Sequence, residues 1–170
     1  MRKAFPIIVL GVFAVVMLFV FLSFRPGEES ATPLNLNLPE KWQEFSRTAN
    51  ATGSDALGLF QKEHEKKISW KDGVKADYTD GKVTFSMWVA GAVNDGHASQ
   101  MVVDMTNRIG GSNPTFNQPA AVDLGVVKAY KTEGQGKINY FYAKGRQVYW
   151  IAITGASDPD ALVKRLYPDF

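Results

Sequence analysis

The sequence predicts an α+β fold: an N-terminal transmembrane helix, a linker, then an extracytoplasmic two-layer domain with helices packed on an antiparallel sheet. Three observations predict it. A charge-free apolar run occupies the front of the chain. The stretch GKVTFSMWVAGAVND, from Gly81, is nearly repeated 64 residues later as GRQVYWIAITGASD, from Gly145. Each copy then passes from two-residue apolar alternation to three-and-four-residue spacing, as a strand followed by a helix does.

The apolar run is FPIIVLGVFAVVMLFVFLSF, Phe5 to Phe24. Its length at about 1.5 Å per residue spans roughly 30 Å, the thickness of a bilayer's hydrocarbon core. Its many Phe, Leu, Ile and Val residues, at around −0.4 kcal/mol each, favour insertion by about 6 kcal/mol. Pro6 falls in the first turn, where a missing N–H costs little. A cleaved signal peptide has a shorter apolar region and a small-x-small cleavage site. Cleavage after Ser23 or Ala31 would place Phe21 or Glu29 at the third position back, and neither is small. The run therefore reads as an uncleaved anchor that contacts the membrane bilayer.

Arg2 and Lys3 precede the run, and basic flanks stay in the cytoplasm. The expected location is a bacterial cytoplasmic (inner) membrane, single-pass, with the C-terminal bulk outside. The predicted division is 1–24 for a cytoplasmic stub and anchor, 25–39 for a linker and 40–170 for the folded domain. The linker reading comes from RPGEESATPLNLNLPE, rich in proline and small polar residues.

Composition narrows the chemistry. The chain has no cysteine, which removes disulfides, thiolate catalysis, lipoprotein anchoring and Cys-ligated metals. The net charge of +2 equals the charge of Arg2 and Lys3, so the outer part is near neutral with signs interspersed. No basic stripe points to nucleic acid, and no acidic run points to calcium.

The elements follow in order. In PEKWQEFSRTAN, Trp42, Phe45 and Ala49 lie three and four apart, which predicts a short amphipathic helix after Pro39. GSDALGLFQKEHEKK predicts a second, capped by Ser54, with Leu57, Phe60 and His64 on one face. In the repeat, TDGK and AKGR read as two-residue hairpin turns in which glycine supplies positive φ, each joining two strands. Asn94 and Asp158 read as helix N-caps. Beyond Asn94, Ala98, Met101, Val102, Met105 and Ile109 form an apolar stripe ending at Gly110-Gly111. Beyond Asp158, Pro159 suits a first turn and Leu162 and Leu166 face inward. The unit is a degenerate duplicated hairpin–helix (ββα). GVVKAYKT adds a strand before the second copy, for an expected five in all. A loop, Gly110 to Asp123, joins the copies.

Catalytic and metal motifs are lacking. His64 and His97 have no second ligand at metal-binding spacing. EGQGK and GGSN lack the phosphate-loop pattern, and no G-x-S-x-G elbow occurs. The aromatics are denser. Alternation puts Tyr140 and Tyr142 on one strand face and Phe141 on the other, and it divides Tyr149 from Trp150 and Trp88 from Val89. An open aromatic face binds through large apolar area with polar tips. Phe116 stands among polar residues in the long loop, where function often resides. The candidate binding residues are Trp88, Phe116, Tyr140, Tyr142 and Trp150. The expected function is non-catalytic, without cofactor or metal: a protein-binding accessory or assembly subunit of a membrane complex. The alternative is a domain that binds a sugar, lipid or haem on an aromatic sheet face.

Overall fold

The computed structural model describes residues 34, 36–62, 70–112, 115–125 and 127–167. The predicted span Phe5 to Phe24 and His64 lie outside them. Among the described residues no helix is long and apolar enough to cross a membrane.

Among the described residues the fold is α+β, with one antiparallel sheet of eight strands and three helices. The strands are β1 (Lys41–Trp42), β2 (Phe45–Thr52), β3 (Asp72–Thr79), β4 (Thr84–Gly91), β5 (Ala120–Asp123), β6 (Lys128–Gly134), β7 (Lys137–Lys144) and β8 (Gln147–Thr154). The helices are α1 (Gly53–Lys62), α2 (Asp95–Ser112) and α3 (Pro159–Leu166). Across the sheet the order is β1-β2-β3-β4-β8-β7-β6-β5. The chain builds one half from an edge inward to β4 and passes along α2 to the opposite edge. It then builds the second half inward to β8, beside β4.

The two similar stretches, from Gly81 and from Gly145, meet at this centre, in matching registers. Tyr78 pairs with Phe85 in the β3–β4 hairpin, and Tyr142 pairs with Tyr149 in the β7–β8 hairpin. Both pairs stack, at centroid distances of 4.8 and 4.9 Å. The turns differ. Gly145 and Arg146 close the second hairpin in two residues, whereas Asp80 to Val83 close the first in four, with the Asp80 carboxylate accepting from the N–H groups of Lys82 and Val83.

Three strands depart from the expected five. PEKWQEFSRTAN forms the β1–β2 hairpin in place of the expected helix. Trp42 and Phe45 pair directly across Gln43 and Glu44, so their three-residue spacing marks a hairpin pair and not a helical turn. The third, β5, lies within the predicted loop, and Phe116 adds a bridge to Gly134. All three flank the sheet's edges.

The helices occupy both faces, so the layering is helix–sheet–helix instead of the expected two layers. On the first face lie Val74, Ala76, Tyr78, Met87, Tyr142 and Ile151, packed with Leu162, Val163 and Leu166 of α3. On the second, Phe141 and Val148 pack with Ala98, Val102 and Ile109 of α2, and Ala90 packs with Ala56 and Phe60 of α1. Equivalent glycines send α2 and α3 to opposite sides. Gly155 turns at φ +84°, with an added Cβ falling 2.5 Å from the Lys82 carbonyl oxygen. Gly91, its counterpart, stays in β4 opposite Asp72 and Gln147.

The caps agree with the sequence. The Asp158 carboxylate accepts from Ala161 N–H at 3.0 Å, and the Asn94 side-chain oxygen accepts from His97 N–H at 2.8 Å. The first face is closed over its β3–β4 half by the incoming chain. An added Cβ on Gly91 would lie 2.6 Å from the Leu34 side chain, while Leu36 and Leu38 pack into the core. The Tyr78 hydroxyl donates to the Pro39 carbonyl at 2.7 Å, and Arg47 donates to the Leu38 carbonyl at 2.6 Å.

Candidate functional site

The five aromatic candidates separate by strand parity. Tyr140 and Tyr142 are fully buried on the first face, under α3. Trp88, Trp150 and Phe116 are half-buried on the second face.

On the first face the tyrosines hold the core together. Tyr140 donates its hydroxyl to Asp160 at the start of α3, and Lys131 of β6 reaches the same carboxylate at 2.9 Å. Burial, and then the bond to Asp160, push the Tyr140 pKa up. The Tyr140 hydroxyl and Lys131 hold the Asp160 carboxyl below the usual carboxylate range. The Tyr142 hydroxyl is buried without a hydrogen-bond partner, and burial pushes its pKa up as well. Tyr78 and Tyr149 are pushed up to about 12, in both cases mainly by burial. All four therefore stay neutral at physiological pH and supply no base.

The second face carries an ordered row. Tyr130, Phe141, Trp150, Trp88 and Lys75 are successive cross-strand partners from β6 to β3. Tyr130 stacks on Phe141 at 5.5 Å, and Phe141 stacks on Trp150 at 5.2 Å. The Trp150 indole N–H donates to Asn139 at 3.2 Å, and Phe116 meets the ring edge-on at 5.6 Å. Trp150 is thus fixed by a stack, an edge contact and a hydrogen bond.

Trp88 leans the other way. It contacts Phe60 of α1 at 5.2 Å, and the Lys75 ammonium lies 5.2 Å from its ring centroid. The two tryptophans are direct partners in the ladder, yet no ring contact joins them. Trp150 leans toward Phe141 and Trp88 toward Phe60, each away from the other. The next row, Asp77, Ser86, Ala152 and Asn139, is small or polar; Asp77 and Ser86 are half-buried and adjoin Trp88, while Ala152 and Asn139 are buried. Lys75 pairs with Asp77 at 2.7 Å, the two side chains 20% and 30% exposed. Beyond lie the exposed Thr84 and Thr154, again partners. This arrangement offers aromatic area, a hydroxyl, a carboxylate and an ammonium on a sheet floor.

No family model, curated protein or solved structure matches this chain.

A second candidate surface is the outer edge of β2. Among the described residues β1 pairs only with Phe45 and Ser46 of that strand. From Thr48 to Thr52 the sequence is TANAT, with no charge and no proline, and Thr48, Ala49, Asn50 and Thr52 are exposed. Unpaired N–H and C=O groups on such an edge are a template for another strand.

His97 stands in the first turn of α2, half-buried. Among the described residues no group of three or more His, Asp or Glu side chains is placed to hold a metal ion. Sequence reasoning named Trp88, Trp150 and Phe116 and did not name their neighbours Lys75, Asp77, Ser86 and Asn139. Parity alone puts Lys75 with Asp77 and Ser86 with Trp88. What was lacking is the β4–β8 pairing, which joins residues more than fifty positions apart.

Proposed function

We propose that this chain is a single-pass, membrane-anchored protein whose extracytoplasmic domain is non-catalytic and binds another protein, as an accessory or assembly subunit of a membrane complex. The observation that carries the reading is the outer edge of β2, which among the described residues pairs with no strand from Thr48 to Thr52. An extended segment of a partner would add to the sheet there through main-chain hydrogen bonds, a recurrent mode of peptide recognition. The packing of Leu36 and Leu38 supports it, because the predicted linker is itself part of the body at its end. The anchor, its orientation and the inner-membrane location rest on the apolar run and on Arg2 and Lys3. The duplicated ββα unit is the folding unit behind this body, and the matching hairpin registers support it.

The test is site-specific photo-crosslinking in intact membranes. A crosslinking residue at Asn50 traps a partner, and one at Asn107, exposed on α2, traps none. Equal trapping at both positions, or none at Asn50, contradicts the reading.

One observation favours a second reading, a small-ligand domain. The diverging Trp88 and Trp150, over a polar floor, form a partly open aromatic site on the second face.

A further inference from the structure

We propose that the trough between Trp88 and Trp150 binds a neutral pyranose ring of a glycan; the inference rests on the small-ligand reading and names its ligand class.

Three features select that class. First, the walls are aromatic. The C–H groups on one side of a pyranose are electropositive and lie well on the negative face of an indole ring. Trp150 is held in one orientation by Phe141, Phe116 and Asn139, so little side-chain freedom is lost when a ring stacks on it.

Second, the floor carries groups suited to hydroxyls. Ring hydroxyls enter a site only where donors and acceptors replace water. Asp77 accepts, Lys75 donates, and the Ser86 hydroxyl does both. These three sit on successive same-face rungs of the β3–β4 ladder, Lys75 with Trp88 and Asp77 with Ser86, within the span of one ring's substituents.

Third, the charges cancel. Lys75 and Asp77 form a two-oxygen ion pair at 2.7 and 2.8 Å. An anionic or cationic ligand would lose hydration without gaining an uncommitted counter-charge. A fatty acyl chain or a haem would cover the Ser86 hydroxyl and the Lys75–Asp77 ion pair without replacing the water they lose. A neutral sugar satisfies both the walls and the floor.

The experiment uses the full chain in lipid nanodiscs, because a detergent with a sugar headgroup would compete. Tryptophan fluorescence and calorimetry follow titration with neutral glucan and N-acetylglucosamine tetrasaccharides, a tetragalacturonate and a fatty acid, all at millimolar concentration. The neutral sugars shift the emission and bind. Trp88→Ala weakens them by about tenfold or more, as loss of a central aromatic anchor does. Ser86→Tyr, which fills the trough and keeps both tryptophans, does the same while its melting temperature stays at the wild-type value. Binding of the galacturonate alone overturns the inference, as does sugar binding that neither variant weakens. Binding of the fatty acid alone, lost in Ser86→Tyr, overturns the glycan assignment and leaves the small-ligand reading standing. No binding by any of the four overturns both.

Discussion

Met87 lies directly opposite Ile151 in the central β4–β8 ladder, and the two residues hold the same position in the two copies of the repeat. A pair of equivalent residues facing each other places a local two-fold relationship at the centre of the sheet. It explains why both hairpins share one register and why both stack an aromatic pair on the same face. The turns and the helices break the relationship, and for the helices the break begins at Gly91 and Gly155.

Those glycines respond differently to alanine. At Gly155 the backbone is left-handed and the nearest neighbour is the Lys82 carbonyl, which is fixed in the turn. Gly155→Ala costs about 2–3 kcal/mol. Gly91→Ala meets the tip of Leu34, a flexible side chain, so it costs less, and Leu34→Ala relieves most of that cost. Denaturant titration of the single and double variants measures both effects.

Tyr140 and Tyr142 are two residues apart and equally buried, yet removal of their hydroxyls has opposite consequences. The Tyr142 hydroxyl has no partner, so Tyr142→Phe is neutral or stabilises by up to about 1 kcal/mol. Tyr140→Phe removes a bond to a carboxylate that pins α3, and destabilises by about 1–2 kcal/mol. Thermal melts of the two variants compare them directly.

Asp160 gives the domain a pH dependence of known sign. Its folded pKa is depressed, so its contribution is present above the unfolded carboxylate pKa of about 4 and is lost as pH falls through the folded value. Asp160→Asn lowers stability at neutral pH and flattens the acid limb of the stability–pH curve. Chemical denaturation at a series of pH values checks it. An acid limb as steep as that of the wild type assigns the effect elsewhere.

Asn139 is buried and bridges Trp150 to two main-chain carbonyls, of Gly134 and Lys137. Asn139→Ala leaves the indole N–H without its acceptor, at a cost of about 1–3 kcal/mol. The tryptophan emission shifts to the red as Trp150 loosens toward water.

How much of this was legible follows burial. The β3–β4 and β7–β8 hairpins are central, with one face wholly covered, so their apolar alternation is strong and the sequence shows it. The β2 strand is exposed at most positions after Phe45, and β5 at three of its four, so neither has a pattern to read. The Trp42–Phe45 spacing fits a helical turn and a two-residue hairpin equally well. Strand parity divided the aromatics correctly between faces, and Tyr140 and Tyr142 proved to lie under α3 because that helix crosses to their side. The choice of side depends on the backbone at Gly155, and a glycine in the sequence does not announce its φ.

The most direct test of the proposed function is the mass of the particle released from native membranes by mild detergent, for the wild-type chain and for Ala49→Lys/Asn50→Lys. Both substituted side chains are exposed, and charge on an edge strand blocks strand addition. The account predicts that the wild type elutes in a large particle with a reproducible companion and that the variant, melting as the wild type does, elutes alone. A wild-type chain that elutes alone, or a variant that keeps its companion, contradicts it.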